Sequence, residues 1–350
     1  MKRNLLLILC ALAVMTVRAQ QVLIVKKGDA RSLLATIEQA NKLNAAKDAE
    51  RLYVLIPDGV YDLGDKVLTR ITGHRIALIG QSMAGTVIQN KPATKNEGIS
   101  KTAVLQNRGT DNYFQDLTLK NALDYYAAGS AGRAVTLHDK GNRTVCNRVC
   151  LLSYQDTYFS DNDLSQFYFQ DSEIHGTVDF ICGDGDVWFE RCRIVTEQRT
   201  ADGKGGRDVI AAPKTSKTSW GYIFNRCTVE NKVSNFEYAR GWNGTPHCIW
   251  LHTTLLTPEK LNATRFDWRG MRTVQNDFKE YGTKDADGRN ITPKSNVVTF
   301  EIKDEKNTVE TILTAKEAKK YKVKKVFTEW NPQKVVKETE RQAKKLLKRL

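Results

Sequence analysis

After the first twenty residues the chain opens with QVLIVKKGD, which predicts a strand. In ARSLLATIEQANKLNAA, Leu33, Leu34, Ile37 and Ala40 recur at the spacing of one helix face. RLYVLIPDGVYDLG then returns to β-branched and aromatic residues around a Pro-Asp-Gly turn. From there to about residue 255, short strand-like runs alternate with turn residues, and no second helix is predicted in that region.

Five phrases within this region share one pattern: FQDLTL, CNRVCL, FQDSEI, FERCRI and FNRCTV. They begin at Phe114, Cys146, Phe169, Phe189 and Phe224 and close at their sixth residue, at Leu119, Leu151, Ile174, Ile194 and Val229. Successive starts lie 32, 23, 20 and 35 residues apart. Intervals near 20, stretched by insertions, suit a solenoid whose coils each lay a short strand on the last. The predicted fold is therefore all-β, a parallel β-helix. Cys192 and Cys227 share a repeat position and are expected to stack in its interior.

This period gives two acids a meaning. Asp156 and Asp179 are 23 residues apart, one coil, which sets them on neighbouring strands about 4.8 Å apart. Two carboxylates that close do not ionise equally: one is pushed toward its neutral form. A paired-acid site is the candidate chemistry.

Composition narrows the setting. The 350 residues are 41% hydrophobic, enough for a large core, and seven prolines with no Ser/Gly-rich tract argue against a flexible linker. Residues 1–19 read as a signal peptide: basic Lys2 and Arg3, an apolar run from Leu5 to Val17, and small residues at Val17 and Ala19. The run is too short for a membrane span, and Leu9 ahead of Cys10 argues against a lipoprotein. Secretion to the periplasm or beyond is expected. Removing Lys2, Arg3 and Arg18 lowers the net charge from +14 to +11, with much of the excess in the C-terminal tail. In an exported protein that excess points to a polyanionic glycan or to a solvated face, not to nucleic acid. Cys146, Cys150, Cys182, Cys192, Cys227 and Cys248 permit disulfides, but buried free thiols are expected for most of them.

The stretch around the two acids resembles the pectinesterase (pectin methylesterase) family, in its bacterial type. The resemblance rests on Gln155-Asp156-Thr157, on Gln166-Phe167-Tyr168, on Gly176 to Gly183 (GTVDFICG), and on Ala239-Arg240-Gly241-Trp242. It extends through VLIPDGVYD, ALIGQS and AGRAVTLHDKGNRTVCNRVCLLS, from roughly residue 22 to residue 333. It implies a right-handed parallel β-helix domain over residues 20–333, followed by a basic helix or tail at 334–350. It also implies methyl-esterified homogalacturonan (pectin) as partner, no cofactor or metal, and a monomer.

The resemblance implies roles as well. Asp179 is the expected nucleophile, Asp156 the general acid and then base, and Gln155 an oxyanion donor; Arg240 orients Asp179. Trp242, Tyr158, Phe180 and Thr102 are the expected substrate contacts. Three positions depart from the family pattern. Arg133 stands where a second oxyanion Gln is expected, so it either replaces that donor or pairs with Asp156 and impairs catalysis. In the impaired case the chain would bind anionic pectic glycan without turning it over. Gly241 replaces a proline, and Cys182 replaces an aromatic residue beside the groove.

Other chemistries fit less well. AGSAG (Ala128 to Gly132) lacks the spacing of a serine-hydrolase elbow. His74, His138, His175, His247 and His252 show no ligand spacing, His175 reads as a structural or rim residue, and Cys146 with Cys150 has no partner pair for zinc. A glycoside hydrolase or a calcium-dependent lyase, the latter using SDNDLS (Ser160 to Ser165), would need products other than methanol. Sites for N-glycosylation at Asn142, Asn243, Asn262 and Asn290 include one beside Trp242, where a glycan would obstruct substrate. QKVVKETERQAKKLLKRL, with only a partial apolar stripe at Val335, Val336, Ala343, Leu346 and Leu347, is expected to dock loosely or fray.

Overall fold

The computed structural model describes residues 21–350 apart from 93–97, 130–131, 205, 270, 272, 274 and 276. The expected signal peptide, Cys10 and Ser130 of AGSAG lie outside the described residues. Three parallel walls coil around one apolar interior. The first runs through Leu52–Ile56, Ile76–Gly80, Tyr113–Asn121, Thr144–Leu152, Gln166–Gln170, Asp186–Glu190, Tyr222–Asn225, His247–Leu251 and Asp277–Tyr281. The second, which carries the site, stacks Thr69–Ile71, Leu105–Asn107, Leu137–Asp139, Tyr158–Ser160, Val178–Gly183, Arg207–Pro213 and Asn235–Ala239. The third is built from Gly59–Asp62, Thr86–Asn90, Glu173–Gly176, Arg193–Thr196, Thr228–Asn231 and Thr254–Leu255, with the long first-wall strands reaching into it.

The repeat seen in the sequence is the register of these walls. Phe114, Cys146, Phe169, Phe189 and Phe224 are successive partners, continued by Trp250. Leu119, Leu151, Ile174, Ile194 and Val229 form the matching column. The aromatic column stacks: ring centroids are 5.1 Å apart for Phe169–Phe189, 4.5 Å for Phe189–Phe224 and 3.9 Å for Phe224–Trp250. Identical positions on successive coils thus bury like side chains against like. Cys192 and Cys227 lie in the same interior, and all six described cysteines are buried free thiols.

Between the two columns the chain turns a corner at one residue per coil. Asp116, Arg148, Asp171, Arg191, Arg226 and His252 hold it, all with φ between 49° and 56°. Left-handed backbone is costly for most side chains, and Asp tolerates it better than Arg. Here the side chains meet their neighbours: Arg148 donates to both oxygens of Asp116 at 2.6 and 3.0 Å, and Arg191 to both of Asp171 at 2.8 Å.

Both ends are covered. The helix Ala30–Leu43, capped by Asp29 accepting from the Ser32 amide, buries Leu33, Thr36, Ile37 and Ala40. Leu34 is only half-buried, so Thr36 completes the face in its place. At the far end the hairpin Val297–Ile302 and Glu305–Glu310 packs Phe300 on Trp268, 5.0 Å between centroids.

The last helix, Pro332–Leu346, does not fray. Its Val336, Ala343 and Leu346 are buried against Tyr113, Val145, Tyr168 and other residues on the outside of the first wall. Asn331 caps it, and Arg148 ties Glu340 at 2.6 Å. Each fully buried Val or Leu contributes roughly 1.5–3 kcal/mol. The partial stripe suffices because the wall beneath it is apolar on both faces.

Candidate active site

The second wall presents one side-chain column per register position. Phe159, Cys182 and Ala212 are successive partners and form an apolar floor, with Trp242 and Ile99 packed on it. Three residues before Phe159 and Cys182 stand Asp156 and Asp179. Both have left-handed backbones, φ 59° and 52°. At Asp179 the register with the next strand slips between Val178 and Ile181, a bulge that turns the carboxylate outward. Gly176 makes room for it: a Cβ there would lie 2.1 Å from Phe180 Cβ.

Arg240 follows the strand Asn235–Ala239, its amide donating to Ala211 O at 2.9 Å. Its Nε donates to Asp179 Oδ1 at 2.8 Å and its Nη2 to Oδ2 at 2.5 Å. Gln155 and Arg133 pair across a β-bridge, and Arg133 Nε lies 3.7 Å from Asp156 Oδ2. Arg133, Gln155, Asp156, Asp179, Arg240 and Trp242 share one hollow of about 180 Å³. That hollow continues past Gln155 and Arg240 into one of about 410 Å³ beside Tyr125, Tyr126 and Arg199. In the other direction it passes Trp242 into one of about 290 Å³ beside Phe159, Asp161 and Lys214. Together they make a groove open along its length, with the two acids at its middle.

The acids differ in charge. Burial, then the negative charge of Asp179, raises the Asp156 carboxyl to about 8; Arg133 and Arg240 oppose this without cancelling it. Burial also pushes Asp179 upward, but the two-pronged Arg240 contact works against it. Although burial disfavours its charge, Arg240 is raised by that same contact. Of the two, Asp156 is thus the acid better placed to keep a proton, and Asp179, held by Arg240, the one better placed to carry charge. Arg133 does not depress Asp156 into the ordinary carboxylate range, because at 3.7 Å and 41% exposed it is a distant, solvated partner.

Three expected contacts need correction. Tyr158 and Phe180 are fully buried in the interior, Tyr158 4.7 Å from Phe169 between ring centroids. Alternation along Tyr158–Ser160 turns Phe159 outward instead. Thr102 is buried, and its Oγ1 accepts from the Val135 amide at 3.2 Å. It supports the segment that carries Arg133 and does not face the groove. Cys182, by contrast, lies on the groove floor, where the lost aromatic bulk was expected. His175 is held between Glu197 and Glu173 at 2.8 and 3.3 Å.

Several groove residues were not anticipated: Ile99, Phe159 and Met271, the Tyr125–Tyr126 pair, and Arg199. Alternation counted from Asp156 points to Tyr158, and the left-handed turn at Asp156 is what brings Phe159 out instead. The others come from loops and the short helix Tyr125–Ala128, which carry no periodic signal. Behind Phe159, buried His138 bridges Asp161 at 2.8 Å and Gln106 at 3.0 Å.

A parallel β-helix that sets an arginine-held acid beside a second buried acid defines the class of fold, and comparison specifies it. The family described as Pectinesterase matches residues 21–329, and the chain belongs to that family. It is 28% identical over 241 residues to Probable pectinesterase 50 of Arabidopsis thaliana, covering 68% of this chain and 63% of that one. It is 30% identical over 171 residues to Probable pectinesterase/pectinesterase inhibitor 19 of the same plant, 49% of this chain and 31% of that one. The chain thus spans less than two thirds of the length of these curated relatives. Among solved structures, a pectin methylesterase in complex with a hexasaccharide superposes with TM-score 0.69 at 22% identity, covering 90% of this chain and 99% of that one. Pectin methylesterase PemA from Erwinia chrysanthemi gives 0.67 at 23%, covering 89% and 98%. The fold is the right-handed parallel β-helix of these enzymes.

Proposed function

We propose that this chain is a carboxylic ester hydrolase that removes methyl groups from esterified galacturonate in pectin, releasing methanol and pectate. One observation carries the reading: a buried carboxylate gripped at both oxygens by Arg240, next to a second carboxyl raised to about 8, in an open groove. Asp179 attacks the ester carbonyl, and Gln155 and Arg133 donate to the oxyanion. Asp156 gives its proton to departing methanol, then takes one from the water that opens the acyl-enzyme. Trp242 offers an apolar face to a sugar ring. Every step uses side chains of this chain, so no cofactor enters. A groove flanked by Arg133, Arg199 and Arg240 suits a polyanion.

Membership of the bacterial type, residues 20–333 as one domain with 334–350 as its tail, export by residues 1–19 and a monomeric state belong to the same proposal. Among the described residues no helix is long and apolar enough to cross a membrane. The direct test is methanol release from highly methylated galacturonan, with Asp179→Ala as control. New reducing ends or unsaturated ends in place of methanol would replace this reading with a hydrolase or a lyase. The exposed Arg133 beside Asp156 favours a second reading, a glycan binder without turnover. A wild type that is inert while Arg133→Gln releases methanol would select it.

A further inference from the structure

Away from the groove, on the third wall, three side chains of unlike chemistry converge. Cys150 is the register partner of Glu173, and His175 stands two residues along the same strand, Glu173–Gly176. Cys150 Sγ, a Glu173 carboxylate oxygen and a His175 ring nitrogen all lie within 4.8 Å of one another. Cys150 and His175 are buried, while the Glu173 side chain is 26% exposed and leaves an approach from solvent.

The hydrogen bonds around His175 set its orientation. Nδ1 lies 2.8 Å from Glu197 Oε1, and Nε2 lies 3.3 Å from Glu173 Oε2. With the Nδ1 proton donated to Glu197, Nε2 is left unprotonated 3.3 Å from Glu173 Oε2 and able to ligate a metal. Glu173 Oε2 also accepts from Arg193 at 2.8 Å, but that guanidinium reaches the carboxylate alone and not the full cluster of thiol, carboxylate and imidazole. A proton on Nε2 serves Glu173 alone, whereas a divalent metal serves all three. A carboxylate behind the imidazole, as Glu197 is here, is the usual support of a metal-bound histidine.

We propose that Cys150, Glu173 and His175 form a binding site for a zinc-class divalent cation that ties two adjacent coils together. Thiolate, imidazole and carboxylate are a ligand set for zinc, with bonds of about 2.3 Å to sulfur and about 2.0–2.2 Å to nitrogen and oxygen. Such bonds put tetrahedral ligand atoms roughly 3.3–3.7 Å apart. The cluster then closes by about 1 Å, a rotamer adjustment of Cys150 and Glu173. Thiolate and carboxylate offset the two positive charges, and water takes the fourth position. Arg193, now 2.8 Å from Glu173, keeps its contact with Glu230. Burial raises the Cys150 thiol to about 12, so metal binding forms the sulfur–metal bond as the Sγ–H bond breaks and releases one proton to solvent.

Cobalt(II) titrated into the untagged, chelator-treated protein tests this. One equivalent is expected to produce a near-ultraviolet thiolate-to-cobalt band and the intense visible bands of a tetrahedral site, both erased by one equivalent of zinc(II). Cys150→Ser loses the near-ultraviolet band, and His175→Gln weakens binding by about tenfold or more. Cys248→Ser, another buried thiol, leaves the spectrum unchanged. Circular dichroism confirms that each variant is folded. A wild type without the thiolate band, or a band that survives in Cys150→Ser, overturns the proposal. If Cys150→Ser does not fold, the wild type decides through its melting temperature, which must rise on adding zinc(II) and must rise less in His175→Gln at the same zinc concentration.

Discussion

The corner ladder and the groove use the same chemical parts to opposite ends. In both, acids on left-handed backbone meet arginines: at the corner Asp116 and Asp171, with Arg148 and Arg191, all at φ 49–53°, and in the groove Asp156 and Asp179 at 59° and 52°. In both, a guanidinium grips a carboxylate at two points. At the corner, however, each of these acids has its own arginine and remains partly exposed, with Asp171 and Arg191 side chains 36% and 45% accessible. In the groove, two buried acids share one close arginine. The corner satisfies its charges and is inert. The groove leaves Asp156 with only the distant Arg133, and its carboxyl is raised to about 8, which is what the proposed acid role requires.

The comparison can be broken most severely at Asp179. Asp179→Ala is expected to lower methanol release by on the order of 10⁴-fold or more while the chain stays folded. Removing the arginines separates the two regions next. Arg240→Ala strands a buried carboxylate and is expected to cost about 3–5 kcal/mol of stability, with most activity lost. Arg191→Ala, from an exposed pair, is expected to cost roughly 0.2–1 kcal/mol with methanol release unchanged. Urea unfolding and methanol release on both variants check this; equal losses would erase the distinction.

The pH response follows from Asp156. Its folded pKa, about 8, lies above the ordinary carboxylate value, so the folded state binds the extra proton. That contribution to stability is complete below the ordinary range and is lost as pH rises toward about 8, by roughly 1.4 kcal/mol per pH unit. Asp156→Asn should flatten this slope in urea unfolding across that range, and should abolish turnover. In the wild type, release should fall as pH climbs past about 8, because the acid has lost its proton. The smallest effect is expected at Arg133. Arg133→Gln removes a cation that opposes the Asp156 shift, so the alkaline limb moves upward while the rate changes by less than about tenfold.

What the sequence reveals of this fold is whatever repeats. The column from Phe114 to Phe224 and the one-coil separation of Asp156 from Asp179 both appear as spacing, because stacked coils bury equivalent residues. The corner ladder was present in the same phrases, at their third position, but its left-handed backbone has no signature in residue type once Arg stands beside Asp. Tyr158 and Phe180 were misplaced because inward and outward faces alternate residue by residue, and the bulge at Asp179 resets that alternation. Thr102 is hidden by a hydrogen bond across coils that only the register reveals. The terminal helix looked weakly amphipathic in isolation, because the apolar outer wall that receives it is dispersed over several coils. Cys150 was paired with Cys146 by nearness in sequence, whereas the coil places it beside Glu173 and His175.

The division of one proton between two acids is most directly measured by carboxyl-carbon NMR of the aspartates, titrated in the wild type and in Asp156→Asn. A resonance titrating near 8 in the wild type and missing from the variant is the predicted result. If the Asp156 resonance titrates in the ordinary carboxylate range, below about 5, then both acids are charged at neutral pH and the assigned roles are contradicted.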